Sequence, residues 1–503
     1  MELTPGAKAV SADFKALSHS DRLQAMNAIL QSLSNSELRE AKDFLDPLKF
    51  QKDIWGSLPT ELRDIVVTGL ELSDIFVLRR VCKSWNEKLS SPALLQTAYL
   101  NATASEQPVL DTVSDEHIIK RFKRRIRAEQ GRPVTTAQLS VSPNLQDLNG
   151  DQISYANGNL ARVDMTTAET SICLVHLRTG ERRQFTTENR ENLRAARVSD
   201  TLVAAISLRG ICHIWEIMTG VHKSFRLTSL QFNHFLVHGV KVMVSYEDKI
   251  LHFCFATGVT RTIIVEGRIC SASLHKSDDQ VSIVCLRDRN APTAVLNRAG
   301  HYLQVEKYTV DGDSFVNTLS RYEQLPFRDD EYERPRPEEN FKVSQGQISL
   351  RFYPYDAESC PCLYLSLTND DQIAVHRMPI LPGYLQSMNI AWFDQGLVYF
   401  TPYQADKHHY AGIGRTRLMN PSFSETLSYE ITPVPRLSVL RQPDTVYGIW
   451  AGDGFFLYAT SERILVWCFD EDWKPSGALS RGPEETLESM RAAHRAQQHQ
   501  DAE

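Results

Sequence analysis

The sequence predicts an α+β multidomain chain, in which an all-α amino-terminal region gives way to an all-β remainder. Three observations predict it. As far as residue 130, apolar residues recur at three- and four-residue steps between cap residues, the period of an amphipathic helix. From residue 134 the period falls to two, in β-branched runs such as LVAAIS, VKVMVSY, TRTIIV and ILVWCF separated by Gly, Asn, Asp and Ser. At 503 residues, the chain also exceeds what one hydrophobic core organises, so it needs at least two units or one large repetitive one.

Residues 1–50 open with a stripe of Leu23, Met26, Leu30 and Leu33. After the capping-box pair Ser34 and Glu37, a second stripe runs Leu38, Ala41 and Leu45 before Pro47. This is a helical hairpin extension. It either packs against the next helices of the chain or forms an independent partner-binding pair.

Residues 51–100 carry SLPTELRDIVVTGLELSDIFVLRRVCKSWNEKLSSPALLQT between 57 and 97. Pro59 suits a first helical position, where its missing N–H costs nothing, and Leu58, Leu62, Ile65, Val66 and Leu70 then share one apolar face. Ser73 and Asp74 cap a second helix, whose Ile75, Leu78, Val81 and Cys82 repeat the pattern before Trp85 and Leu89. Pro92 restarts the chain into Ala93-Leu94-Leu95. Helices this short carry more apolar surface than they can bury alone, which marks a docking module; the competing reading is a helical hairpin cut from a larger core. The order Leu-Pro, Glu-Leu, Ile-Val, Leu, Ser-Asp, Val-Cys-Lys-Ser-Trp resembles the F-box motif. That resemblance implies a module that binds the Skp adaptor of cullin-based SCF ubiquitin ligases, while the rest of the chain recruits a substrate. It places Leu58, Pro59, Leu62, Ile65, Val66, Leu70, Leu78, Val81, Cys82 and Trp85 at the adaptor-binding face.

Residues 101–133 form a linker containing SDEHIIKRFKRRIRAEQ, with six Lys or Arg among eight positions. Ser114 caps this helix, Asp115 and Glu116 suit the positive end of its dipole, and Gly131 with Pro133 ends it. Ile119, Phe122 and Ile126 fall on one face, so a linker helix docked on protein is favoured over a targeting signal or basic partner site.

In the β half, three runs align, at 171–180, 210–220 and 249–258, each ending in Thr-Gly. Their glycines, Gly180, Gly220 and Gly258, are separated by one four-stranded propeller blade. Trp215-Glu216 stands where WD repeats carry Trp-Asp, and Trp467 looks equivalent; Val175 and Phe253 replace Trp elsewhere and the Gly-His element is missing. Residues 134–473 therefore resemble a divergent WD-like β-propeller of about seven blades, each about 48 residues long. The charged, Pro-rich stretch 323–340 is expected to be a mobile insertion and 474–503 a flexible tail.

A net charge of −7, with 42% hydrophobic and 23% charged residues, gives no reason to expect nucleic acid as a partner. The start MELTPGAKAVSADF lacks the charge and apolar core of a signal peptide, and no segment approaches ~18 consecutive apolar residues, so no membrane partner is expected and the compartment is cytoplasmic and/or nuclear. Nine scattered cysteines read as small buried apolar residues; Cys360-Pro-Cys362 and His408-His409 are too isolated for a metal site, and no cofactor is expected. Phosphate loops, nucleophile elbows and His-Glu-x-x-His pairs are missing from the sequence, which points away from intrinsic catalysis.

The leading functional reading is the substrate-recognition subunit of an SCF (Skp-cullin-F-box) ubiquitin ligase: a non-catalytic receptor joined through the Skp adaptor to a cullin and a RING protein. The alternatives are a non-ligase structural assembly protein bound to the Skp adaptor, or a propeller enzyme with an F-box-like appendage. Substrate binding is expected at the tips between second and third blade strands, at Arg209, Glu247, Asp248, Arg289, Asp370, Asp371 and Arg463.

Overall fold

The computed structural model describes residues 4–45, 55, 58–68, 70, 72–103, 115–140, 150–275, 279–286, 302–312, 314–324, 342–343, 349–352, 362–367, 373–378, 388–394, 397–402, 409–418, 427–433, 437–440, 448–459 and 463–481. The amino-terminal extension holds three helices rather than a hairpin: α1 (Pro5–Ala16), α2 (His19–Ser32) and α3 (Asn35–Leu45). Ser18 caps α2 by accepting from the Asp21 N–H, and Glu37 closes a capping box on the backbone N–H of Ser34 at 2.7 Å. The first helix, not expected from periodicity, lacks the leucine stripe that marks the other two.

Four short helices come next, α4 (Thr60–Thr68), α5 (Leu72–Leu78), α6 (Lys83–Leu89) and α7 (Pro92–Thr103), and then the basic helix α8 (Asp115–Glu129). Pro92 is the first residue of α7. Trp55, Val67, Leu72, Ile75, Leu89, Leu94, Leu95, Ala98 and Phe122 form one buried cluster, so α8 supplies its Phe122 to the core of the helices before it.

The all-β half is a β-propeller. Its first four blades are antiparallel sheets whose four strands lie side by side in chain order. Blade 1 comprises Ile153–Ala156, Asn159–Val163, Ser171–His176 and Glu181–Thr186, and blade 2 Leu193–Val198, Leu202–Ser207, Ile211–Glu216 and His222–Arg226. Blade 3 comprises His234–His238, Lys241–Ser245, Lys249–Cys254 and Val259–Ile264, and blade 4 Arg268–Leu274, Gln280–Leu286, Tyr302–Asp311 and Ser314–Gln324. The second strand of blade 2 is buried along its length because sheets cover both its faces, whereas the outer strand of blade 1 is mostly exposed. All three Thr-Gly pairs sit in hairpins between third and fourth strands, with glycine φ of 68, 75 and 75°. Trp215 is buried on a third strand against Phe185 of the preceding blade, ring centroids 5.9 Å apart. Trp467, on the third strand of the last blade, is likewise buried.

Between Lys342 and Leu440 a single nine-stranded sheet runs where the repeat length calls for two blades; parallel pairing of Ile373–Met378 with Leu427–Pro433 joins its parts. The stretch 325–340 of the expected insertion lies outside the described residues.

The last blade, Gly448–Gly452, Phe455–Ala459 and Arg463–Cys468, takes its fourth strand from the start of the β region: Thr135–Ser140 pairs antiparallel with Arg463–Cys468. Segments far apart in sequence thus close the ring, pairing the edge that Arg463–Cys468 would otherwise leave open. The expected flexible tail 474–503 needs correction over its first eight residues, and 482–503 lie outside the described residues. Residues 474–481 pack on this closure, burying Leu479 and adding Ser480–Arg481 as a fifth strand beside Thr135–Ser140. Trp473 and Leu479 are too widely spaced to form a period, so no local pattern announces the contact.

Among the described residues six cysteines are buried, and burial pushes the Cys468 thiol up to about 12. His252, on the third strand of blade 3, has 0% exposure, neither ring nitrogen bonded, and its ring edge-on to Phe315 at 5.1 Å. Burial pushes its pKa down to about 4. The folded state therefore holds a neutral imidazole whose unfolded value is ~6.5. Its stability is intact above that unfolded value and falls as pH drops from ~6.5 toward the folded one, by as much as ~1.4 kcal/mol per pH unit. His252→Leu is expected to stabilise the chain by about 1–2 kcal/mol at neutral pH and to reduce the acid slope, since no partner is left behind. Urea titrations at neutral and mildly acidic pH check this; an unchanged acid slope in the variant contradicts it.

Candidate functional site

Two surfaces stand out, one on the short helices and one on the propeller. On the helices, the single apolar face expected from periodicity divides in two. Leu58, Leu70, Leu78 and Trp85 lie half-buried against the cluster around Ile75, and Trp85 packs on Trp55 with ring centroids 5.9 Å apart. Leu62, Ile65, Val66 and Val81 instead point outward, at 47, 66, 42 and 59% exposure, as do Pro59 and Cys82. Val67, Leu72 and Ile75 do the core packing on α4 and α5, which frees the other side of both helices. Val77, 62% exposed on α5, joins this outward set. It is missing from the expected face. Five large apolar side chains face water on two successive short helices and the turn after them, an exposure suited to protein contact.

Helix α8 ties this surface to the propeller. Its Ile119, Phe122 and Ile126 pack with the helices before it, Phe122 lying 5.3 Å from Phe76. Four of its cations face the other way. Lys120 meets Asp472 at 2.8 Å and Lys123 meets Glu471 at 3.8 Å, Arg124 reaches Asp453 at 3.7 Å, and Arg127 pairs with Glu471. The Lys120 ammonium holds the Asp472 carboxyl below its ordinary range. Ala128 enters the propeller core, and the Val134 N–H donates to the Cys468 carbonyl at 2.8 Å as the chain runs into the closing strand. Four cations of the basic run thus meet acids of the closing blade, each pair exposed enough to contribute little alone, while the buried Arg125 pairs with Glu129 of its own helix at 2.8 Å. Within blade 1, Arg178 adds bonds to Asp453 at 2.8 Å and Asp470 at 3.2 Å.

On the propeller, strand direction alternates within each blade. Tips between second and third strands therefore share one face with the crossings from each blade to the next. Arg209 is exposed on the blade 2 tip, and Glu247 and Asp248 on the blade 3 tip. The expected place of Arg463 needs correction: it is the half-buried first residue of a strand, opposite Ser140, and not a tip residue. Arg289, Asp370 and Asp371 lie outside the described residues. Behind the blade 2 tip, the Ser207 hydroxyl, then His213, hold the buried Glu191 carboxyl below its usual range, with Arg209 a smaller contributor. His213 stacks with His222, Nδ1 to Nε2 at 3.2 Å, and burial followed by the His213 charge lowers the pKa of His222. Among the described residues, no group of three or more His, Cys, Asp or Glu side chains is placed to hold a metal ion, and no helix is long and apolar enough to cross a membrane.

Residues 55–97 match the F-box domain and constitute one in this chain. A 74-residue stretch is 32% identical to F-box/WD repeat-containing protein 7 of Drosophila melanogaster, covering 15% of this chain and 6% of that protein's length. Among solved structures, the β-propeller domain of the Trilobed protease from Pyrococcus furiosus aligns over 69% of this chain and 99% of its own, at 14% identity and TM-score 0.40. A chain of the Mitotic Checkpoint Complex aligns over 72% and 95%, at 10% identity and TM-score 0.41.

Proposed function

We propose that the chain is the substrate-recognition subunit of an SCF ubiquitin ligase, its F-box docking the Skp adaptor and its propeller holding a protein substrate. The observation that carries this reading is the outward set Leu62, Ile65, Val66, Val77 and Val81, on an F-box whose own core is filled by other residues. Apolar anchors that are exposed in the free protein and desolvated on binding are the side chains that dominate interfaces. Through the adaptor, a cullin and a RING protein would complete the ligase.

Catalysis in this reading is positional. The receptor supplies effective concentration and orientation, bringing substrate lysines to the conjugating enzyme, and contributes no nucleophile. Helix α8 supports that role, because one helix packs in the F-box core and is ion-paired to the closing blade, so the two surfaces are held in a defined relation. Isothermal titration of purified Skp adaptor into the full chain tests the docking step. A saturable complex with Kd in the micromolar range or tighter, ~8 kcal/mol or more of binding free energy, is expected; no heat and no co-elution would refute it.

A further inference from the structure

One region of the propeller face combines an exposed apolar centre with opposite charges on its two sides. Leu208, on the blade 2 tip, is 53% exposed. Two residues on, Gly210 lies against Leu230, whose side chain stands 3.9 Å from where a glycine Cβ would be. Leu230 and Phe232 belong to the crossing from blade 2 to blade 3 and are half-buried on the core of those blades. Arg194 of blade 2 holds this crossing, donating to the Leu230 carbonyl at 2.8 Å with its guanidinium 5.4 Å over the Phe232 ring. From the other side Tyr246 donates to the Ser229 carbonyl at 3.4 Å, which brings the blade 3 tip with Glu247 and Asp248 against the same crossing. Backbone bonds from Val265 to Asp248, at 2.8 Å, and from Ile269 to Glu247, at 3.1 Å, fix that tip.

The patch is continuous and its charge is polarised. Arg194 and Arg209 stand on the blade 2 side and Glu247 and Asp248 on the blade 3 side, with Leu208, Leu230 and Phe232 between them. Lys249 beside the acids stacks its ammonium 5.3 Å over Tyr246. Glu247 and Asp248 form no ion pair among the described residues, and exposed Arg209 makes only a minor electrostatic contact with Glu191 behind it, so the charges on both sides are available to a partner.

We infer that this patch binds an extended, unmodified peptide segment of a protein partner, one that offers a carboxylate toward Arg209, a large apolar side chain to Leu208 and Leu230, and a Lys or Arg toward Glu247 and Asp248. The inference rests on the reading of the propeller as a substrate receptor and names the chemistry of what it receives. A phosphorylated segment fits less well. A phosphate calls for several converging cations, whereas here Glu191 lies beside Arg209 and two more carboxylates stand across the patch.

The test is selection from a display library of random linear peptides on the full chain, followed by anisotropy titration of the best binder. Selected peptides are expected to share the acidic, apolar, basic order. Leu208→Asp should weaken the best binder more than about tenfold, and the triple variant Arg209→Glu, Glu247→Lys, Asp248→Lys should prefer its charge-reversed copy. Melting temperature and Skp adaptor affinity are expected to stay unchanged in both variants. Enrichment of peptides lacking this order, of peptides indifferent to both variants, of phosphate-dependent binders only, or of none would overturn the inference. The adaptor titration on the same protein reports separately on the receptor reading.

Discussion

A chain carrying Ile65→Asp and Val81→Asp is expected to bind the Skp adaptor at least ~100-fold more weakly than the wild type, a loss of about 3 kcal/mol or more. Both side chains face water in the free protein, at 66 and 59% exposure. Substitution there should leave the fold within about 0.5 kcal/mol of wild type. In the complex, each would set an unpaired carboxylate where an apolar contact is required, adding a desolvation cost to the lost contact. Trp85→Ala should behave differently. Its ring packs on Trp55 and the cluster around Ile75, so truncation lowers the melting temperature along with affinity. Titration calorimetry paired with thermal unfolding separates the two. Wild-type affinity in a folded Ile65/Val81 variant would remove this face from the interface.

The second large effect concerns ring closure. Gly180→Ala is expected to cost about 3 kcal/mol or more of stability. Gly180 has φ of +68°, and a Cβ there would overlap the carbonyl oxygen and carbon of Ser476. These are backbone atoms and cannot rotate away. They belong to the segment that crosses from the closing blade to blade 1, held by bonds from Trp473 Nε1 to the Leu177 carbonyl at 2.9 Å, Ser476 Oγ to the Thr179 carbonyl at 2.9 Å and the Ala478 N–H to the Gly180 carbonyl at 3.1 Å. Relieving the clash lifts that segment and uncovers Trp473 and Leu479. Gly220→Ala is the control. Its φ is +75° but nothing lies within 4 Å of the added carbon, so only the backbone cost of about 1 kcal/mol remains. Denaturant unfolding of both compares them; equal losses would mean that the crossing segment does not contribute to closure.

How much of this is legible in the sequence depends on which interactions are local. Pro59, the residue before α4, and Pro92, the first residue of α7, sit at helix starts because proline chemistry acts within a few residues, whereas Ser73 and Asp74, expected as caps, fall inside α5 as its second and third residues. The Thr-Gly spacing marks the hairpins of blades 1 to 3 because each needs a left-handed residue at the same place. Closure by a strand from the start of the β region accords with the cost of open sheet edges. Sidedness is harder. Periodicity puts Leu58 and Leu70 on one face with Ile65 and Val66, yet the first pair packs inward and the second outward, since the direction of burial is set by α7 and Phe122 of α8, distant in sequence. The acids that meet the basic helix, Asp453, Glu471 and Asp472, lie more than 300 residues away, and no local pattern announces such a pairing. Arg463 falls on a strand rather than a tip for a simpler reason: strand ends carry no cap chemistry to mark them in the sequence.

The most direct test of the receptor assignment is reconstitution of the full chain with purified Skp adaptor, cullin and RING protein, followed by light scattering of the eluted peak and by ubiquitin transfer to a selected patch-binding peptide bearing a lysine. One peak containing all four proteins is expected, with transfer that is lost with Ile65→Asp and Val81→Asp. A stable complex with the adaptor that excludes the cullin would refute the assignment and leave an assembly protein in its place.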